Sequence, residues 1–320
     1  MNTRRRWLAA GAAWPALAWT GALRAQANPP VVVGMLSSSP RGRGTDLFIE
    51  GMAALGWKLG AHYVLEERYA DGRAQLLPAL AQELAEKKPA VIVARPSSAA
   101  RAAAAAAPAT AIVLFDGDPV SSGLVTSLAR PGGMITGLSN VSAETDLKSI
   151  DLLMEAMPKL QRIGFLADST VRAHAAKVRD VRRATERLRV DAVIVDMATP
   201  EDIAPALAQL AKAKVQALVI LSSAWFGPHY PKIMEPALAQ RWPVAGAARQ
   251  GGLFSFGANL RDAPRRAAHY VDRILKGAKP GDLAIEQPTT FDLIVNLKTA
   301  KALGITMPKS FMLRATEVIE

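Results

Sequence analysis

Residues Gly251 to Pro308 read GGLFSFGANLRDAPRRAAHYVDRILKGAKPGDLAIEQPTTFDLIVNLKTAKALGITMP. Apolar side chains around Leu253–Phe256 predict a short strand, and the spacing from Asp262 to about Lys276 predicts a helix. Asp262 is placed to cap that helix with its side-chain oxygen, and Gly277 to close it where positive φ is cheap. An extended piece at Leu283–Glu286, a strand at Phe291–Asn296 and a short helix at Leu297–Leu303 complete the segment. A helix, two extended pieces and a second helix, appended after an α/β unit, take the chain back over layers already built. That pattern needs two lobes and several chain crossings.

Outward from this segment, short β-rich runs alternate with helical ones, the pattern of parallel sheets covered by helices. Val31–Leu36 is nearly all apolar, as a strand buried on both faces should be. A helix from about Thr45 to Leu59 follows, with Phe48, Met52, Leu55 and Leu59 on one side. Tyr63–Tyr69, Ala90–Ala94 and Ala111–Phe115 are further strands, separated by a leucine-marked helix at 76–84 and an alanine-rich helix at Ala99–Ala107. The second half repeats the scheme. Ser142 is expected to cap a helix to about Met157, and Ser169 a long one ending at Leu188. Strands at Arg162–Leu166, Ala192–Asp196 and Ala217–Leu221 alternate with helices at Pro200–Ala213 and Pro228–Gln240. The glycine- and proline-rich stretch Asp116–Leu138 is the expected crossing between lobes.

Arg4, Arg5 and Arg6, then an alanine- and leucine-rich run from Trp7 to Leu23, then Ala25-Gln26-Ala27, form the pattern of an export signal cleaved after Ala27. Gly11, Pro15 and Gly21 interrupt the run, which makes it a poor spanning helix. Thr3-Arg4-Arg5-Arg6-Trp7-Leu8 approaches the twin-arginine pattern, so either the Sec or the twin-arginine route fits. The chain has no cysteine, which excludes disulfides and a lipid-anchored cysteine. The expectation is a soluble, exported, periplasmic protein without a lipid anchor. Its formal charge is +11, and loss of residues 1–27 removes four arginines and no acids, leaving +7. The basic stretches Arg172–Arg189 and Arg261–Lys279 are laced with acids and are expected to be solvated helix faces, not nucleic-acid surfaces.

Catalytic patterns fail in turn. His62, His174, His229 and His269 are scattered, and nothing clusters at metal-ligand spacing. Gly137-Leu138-Ser139-Asn140-Val141 and Leu253-Phe254-Ser255-Phe256-Gly257 each lack one glycine of a nucleophile elbow. Gly42-Arg43-Gly44 has Leu47 at the third glycine position of a dinucleotide fingerprint. No enzyme and no cofactor are expected.

Ligands of doubly wound sheets sit beyond the carboxyl ends of the strands. Those positions are rich in hydroxyls: Ser38 and Ser39 after the first strand, Ser97 and Ser98 after the third, Ser169 and Thr170 after the first of the second lobe, and Ser222 with Ser223 after the third. Ser139 lies at the far end of the crossing. Hydroxyls beside helix N-termini suit a carboxylate, although the same serines also fit as caps. Trp225 and Phe226 could cover a flat apolar ligand or pack under the next helix. Asp116 could pair with a ligand ammonium or shape the turn with Gly117 and Asp118.

RRAAHYVDRILKGAKPGDLAIEQPTTFDLIVNLKTAKALGI and, upstream, DPVSSGLVTSLARPGGMITGLS closely resemble the signature of a family of bacterial ABC-transporter substrate-binding proteins, from about Val31 to Glu320. The resemblance implies the type I periplasmic binding-protein fold: two doubly wound parallel-sheet lobes joined by a three-stranded hinge. Further crossings are then expected near Gly257–Asn259 and Gln287–Thr290. The implied lobes are 31–137 plus 259–287 and 138–258 plus 288–320. The implied function is to bind a small carboxylate, an aromatic or bulky apolar amino acid or related acid, by hinge closure, and to serve an ABC permease in the inner membrane as a monomer. An exported ligand-sensing domain or an exported hydrolase is the alternative. The chain departs from relatives at Arg95-Pro96-Ser97-Ser98, where a Gly-Thr-Pro string is frequent, and at Ser222-Ser223-Ala224-Trp225, where many have an aspartate.

Overall fold

A computed structural model describes residues 29–320. The expected export signal at 1–27 lies outside the described residues. The chain first builds β1 (Val31–Ser37), α1 (Arg43–Ala54), β2 (Tyr63–Tyr69), α2 (Leu77–Glu86), β3 (Val91–Arg95), α3 (Ser97–Ala106), β4 (Ala111–Gly117) and β5 (Ile135–Ser139). These strands form an all-parallel sheet in the order β2-β1-β3-β4-β5. Alternation along β3 explains the two cores. Val91 and Val93 face α1, with Phe48 and Met52, while Ile92 and Ala94 face α2 and α3, with Leu77, Leu84 and Ala99.

The second unit comprises α4 (Ser142–Ala156), β6 (Arg162–Asp168), α5 (His174–Leu188), β7 (Asp191–Met197), α6 (Ile203–Lys212), β8 (Ala217–Ile220), α7 (Tyr230–Ala239), β9 (Val244–Ala245) and β10 (Phe254–Ala258). After β10 the chain returns to the first unit with α8 (Ala263–Leu275), then crosses again into β11 (Phe291–Asn296), α9 (Leu297–Leu303), α10 (Lys309–Met312) and β12 (Glu317–Ile319). The second sheet runs β12-β11-β10-β9-β8-β6-β7 and is parallel except for the antiparallel pair β10–β11. One face carries Phe165, Phe254 and Val295 under α4, α5 and α9; the other carries Leu166, Leu218 and Ile220 under α6 and α7.

The return of α8 is recorded in its packing. Ala267, Ala268 and Val271 belong to the first unit's core, and Gly51 of α1 lets the helices touch: a methyl on it would lie 2.9 Å from the Ala268 Cβ. Trp57 donates its indole N–H to Asp272 of α8 at 2.8 Å. The piece Leu283–Glu286 then lies along β5, with backbone bonds of 2.8 and 2.9 Å between Glu286 and Ser139 and Gly137. Phe256 and Phe291 stack at 5.6 Å beside the adjacent crossings.

Three local expectations differ from the structure. Ile135–Ser139 is a strand, most of it within the stretch expected to be a crossing, and the expected division at 137/138 lies inside it. Ser142 opens α4 after Val141 and makes no side-chain cap, and α5 begins at His174, well beyond Ser169. Asp262 precedes α8 without capping it; its carboxylate instead faces Arg265 at 3.5 Å. A ψ of −1° at Asp262, helical instead of extended, turns the side chain away from the free N–H groups that an extended N-cap would reach.

Candidate functional site

The sheets present their carboxyl edges to one another. Loops leaving β2 and β8 meet where Gly72 faces Pro228: a methyl on Gly72 would sit 3.6 Å from Pro228 Cγ. Loops leaving β4 and β6 meet where Gly123 faces Arg172, whose Nε would lie 3.4 Å from a methyl there. Between these contacts lies the cleft.

On the first lobe's side, a cavity of about 130 Å³ opens between the start of α1 and the ends of β1, β2, β3 and β4. Its wall includes Met35, Tyr69 and Phe115, with Arg43 and Arg95 as the charged groups. A volume near the roughly 150 Å³ that admits a benzene ring is suited to a small apolar or aromatic body. Thr45 Oγ1 and the Tyr69 hydroxyl lie 2.8 Å apart, and Tyr69 donates to Glu67 at 2.6 Å. Burial, reinforced by that bond to Glu67, pushes the Tyr69 phenol above its ordinary value and keeps it a neutral donor.

Beside the cavity, Arg95 Nε donates to Asp116 Oδ2 at 2.7 Å, and the guanidinium lies 5.9 Å from the Phe115 ring centre. Asp116 holds φ 59°, a left-handed conformation that Asp tolerates better than most residues. Asn140 Nδ2 donates to Asp116 Oδ1 at 3.4 Å, while Asn140 Oδ1 is buried with no hydrogen-bond partner. An unsatisfied buried acceptor beside a carboxylate is a place for an incoming donor. Ser97 sits directly beneath: its Oγ accepts the Asp118 N–H at 3.1 Å and so holds the 116–118 loop. Ser98 is exposed. Ser38 is buried and ties β3 to the turn after β2 through its backbone, its N–H to Arg95 at 3.0 Å and its carbonyl to Gly72 at 2.7 Å. Ser39 donates its N–H to the Ser37 hydroxyl at 3.1 Å.

The second lobe's hydroxyls face inward chemically. Thr170 donates to Asp168 at 2.5 Å, Ser223 to the other oxygen of Asp168 at 2.5 Å, Ser222 to Asp146 at 2.6 Å, and Ser169 to the Met197 carbonyl at 3.2 Å. A hydroxyl has one proton. With that proton committed, these four offer only lone pairs to anything they touch, the reverse of the neutral donors that the sequence pattern suggested.

Two expected ligand contacts take another place. Phe226 is fully buried in the core between β8 and α7 and meets Trp225 edge-on at 5.1 Å. Ser139 is buried at the end of β5, where its Oγ accepts the Val141 N–H at 3.3 Å. In each case the apolar or turn-forming demand of the fold takes precedence. Trp225 is half-buried and packs against His229 with the ring centres 4.6 Å apart and the planes tilted by 46°; burial, then nearby Lys232, hold that imidazole below its ordinary value. Arg95, Tyr69 and Phe115 were absent from the hydroxyl-based reading. Tyr69 and Arg95 end their strands and Phe115 lies two residues before the end of β4, all at the carboxyl edge, which is the signal that could have found them.

Among the described residues no helix is long and apolar enough to cross a membrane, and no group of three or more His, Cys, Asp or Glu side chains is arranged to hold a metal ion.

The model of the ABC transporter substrate binding protein family matches residues 32–319. A tyrosine-binding protein of Clostridioides difficile is 23% identical over 192 residues, 59% of this chain. The match spans only 55% of that relative's length. Among solved structures, a conserved domain protein of Vibrio cholerae superposes with a TM-score of 0.82 at 24% identity, covering 90% of this chain and 99% of that one. An ABC domain in complex with L-Trp from Streptococcus pneumonia superposes at 0.81 with 22% identity, covering 91% and 100%. These likenesses support the two-lobed periplasmic binding-protein fold, and the family match covers nearly the whole described chain. The chain belongs to the ABC transporter substrate-binding protein family.

Proposed function

We propose that this protein is the periplasmic receptor of an ABC importer and that it closes on an α-amino acid with an aromatic or bulky apolar side chain. One observation carries the ligand class: the Arg95–Asp116 pair, 2.7 Å apart, beside a cavity walled by Met35, Tyr69 and Phe115. A cation and an anion side by side mirror the zwitterion of an amino acid, so its carboxylate can join Arg95 while its ammonium joins Asp116 and Asn140 Oδ1. The second lobe adds lone pairs at Ser222, Ser223, Ser169 and Thr170, which suit ligand N–H groups, and Trp225 supplies a flat surface. A sugar would find few planar polar partners here. The named relatives bind tyrosine and tryptophan, which agrees with this class.

Closure needs no chemistry. Contacts offered by both lobes favour the state in which their edges meet, and a ligand shifts the open–closed balance by its differential affinity for the two. The lobes are taken to divide at Asn140–Val141, 259–260 and 287–290. In this reading the export signal delivers the chain by the Sec or twin-arginine route, and the closed form presents itself as a monomer to the permease.

Thermal shifts of residues 28–320 against amino acids, aromatic acids and sugars test the function. Stabilisation by tryptophan, tyrosine or phenylalanine is expected, and stabilisation by sugars alone contradicts it. Within the site, Ser97→Ala is expected to weaken binding by about 1–2 kcal/mol, because the Asp118 N–H loses its acceptor and the Asp116 loop loosens. Ser98→Ala should stay within about 0.5 kcal/mol of the parent. Calorimetric titration of the two variants checks this; the opposite order would move the ligand from the Asp116 loop to the exposed start of α3.

A further inference from the structure

Asp146 of α4 and Lys177 of α5 form an ion pair at 2.9 Å with side chains only 6% and 9% exposed. The free space beside them is about 10 Å³, marginal even for one water. A buried ion pair adds little net stability, because desolvation offsets the attraction. What distinguishes this pair is where its remaining hydrogen bonds go. Asp146 Oδ1 accepts from the Ser222 backbone N–H at 2.8 Å and from its hydroxyl at 2.6 Å. Lys177 Nζ donates to the Ser222 carbonyl at 2.6 Å. All three polar groups of one loop residue are thus held from two helices. The next residue is held as well: the Ser223 hydroxyl donates to Asp168 and accepts the Trp225 N–H at 3.2 Å. Beyond it, Trp225 rests edge-on against the buried Phe226.

We infer that the Asp146–Lys177 pair is a positioning device: it sets the height of the Trp225 wall and thereby governs which side chains the cleft accepts. The inference rests on the amino-acid reading of the cleft. Neither charge touches the ligand; both act through Ser222. A pair that merely joined two helices would leave ligand selectivity untouched when replaced, whereas this one ties its spare bonds to the loop that carries the aromatic wall.

The test is a double-mutant cycle on residues 28–320, with L-tryptophan and L-phenylalanine as probes. Asp146→Asn is expected to raise both Kd values at least tenfold and to change their ratio. In a Trp225→Ala background the same change should cost less and leave the ratio of the two Kd values unchanged, because the wall is gone and only the Ser222 contact is still affected. An equal loss with and without Trp225, or a lower Tm with unchanged affinity and ratio, overturns the inference. If Asp146→Asn does not fold, Asp146→Leu/Lys177→Met retains an apolar fill and releases Ser222, and the same outcomes apply. If the parent binds neither amino acid, the reading of the cleft fails, and acrylamide quenching decides the positioning. The tryptophan signal lost on Trp225→Ala should become more quenchable in Asp146→Asn, and unchanged quenching sinks it.

Discussion

Gly137→Ala is expected to remove on the order of 4 kcal/mol of stability or to prevent folding. Gly137 holds φ 126° inside β5, a conformation open to glycine and closed to side chains. A methyl there would collide with the carbonyl oxygen of Leu114 on the neighbouring strand. The close approach sits where the β4–β5 register slips between Leu114 and Gly117, the irregularity that also turns Asp116 into the cleft loop. Relief would need β5 to move, and β5 holds both the end of the first sheet and Glu286. Gly133, with no neighbour near its would-be methyl and no positive φ, is the control: Gly133→Ala should change stability by under about 0.5 kcal/mol. Urea unfolding of both variants measures the difference. A fully stable Gly137→Ala protein would mean that β5 does not run as described.

Asp116→Asn is expected to weaken binding of the best amino acid by about 2–4 kcal/mol, roughly 30- to 1000-fold in Kd. Asn tolerates the left-handed φ of 59°, so the loop should keep its form while losing the charge proposed to meet the ammonium. The effect should depend on the ligand. 3-Phenylpropanoate, which has no amine, should bind the variant as well as or better than the parent, because Arg95 is released from Asp116 and free for a carboxylate. Titrating both ligands against both proteins separates the two effects. Equal losses for the amino acid and its deaminated analogue would place the ammonium elsewhere.

The fold was legible where hydrophobic period and punctuation agree. Tyr63–Tyr69, Phe291–Asn296 and Leu297–Leu303 form the elements expected from the sequence. Asn296 caps the last of them, its side chain accepting the Thr299 N–H at 3.0 Å. Ile135–Ser139 was hidden because its central glycine and the preceding Gly132-Gly133 read as loop, whereas Gly137 is required by a close strand contact. β9 and β12 are too short, at two and three residues, to leave a periodic signal. The cleft's location was legible from strand ends; its polarity was not. Serines at strand ends do not say whether their protons point outward, and that depends on Asp146 and Asp168, one of them on a helix far away in sequence. Phe226 was ambiguous for the same kind of reason. Two adjacent aromatics in a turn cannot share one direction, and the core took Phe226, leaving Trp225 half-exposed.

The most direct test of closure uses the chain's lack of cysteine. A Cβ on Gly72 would lie 4.0 Å from the Pro228 Cβ, within the roughly 3.5–4.5 Å that a disulfide spans. In a Gly72→Cys/Pro228→Cys protein, disulfide formation under mild oxidation reports how often the two lobes meet. The positive φ of 82° at Gly72 adds on the order of 1 kcal/mol of strain, equal with and without ligand. Saturating tryptophan, tyrosine or phenylalanine should speed cross-linking severalfold over buffer and over glucose, and reduction should return ligand release, slowed by the cross-link, to its parent value. A cross-linking rate that no amino acid changes, in a protein that nonetheless binds one, would contradict closure of the lobes over an amino acid.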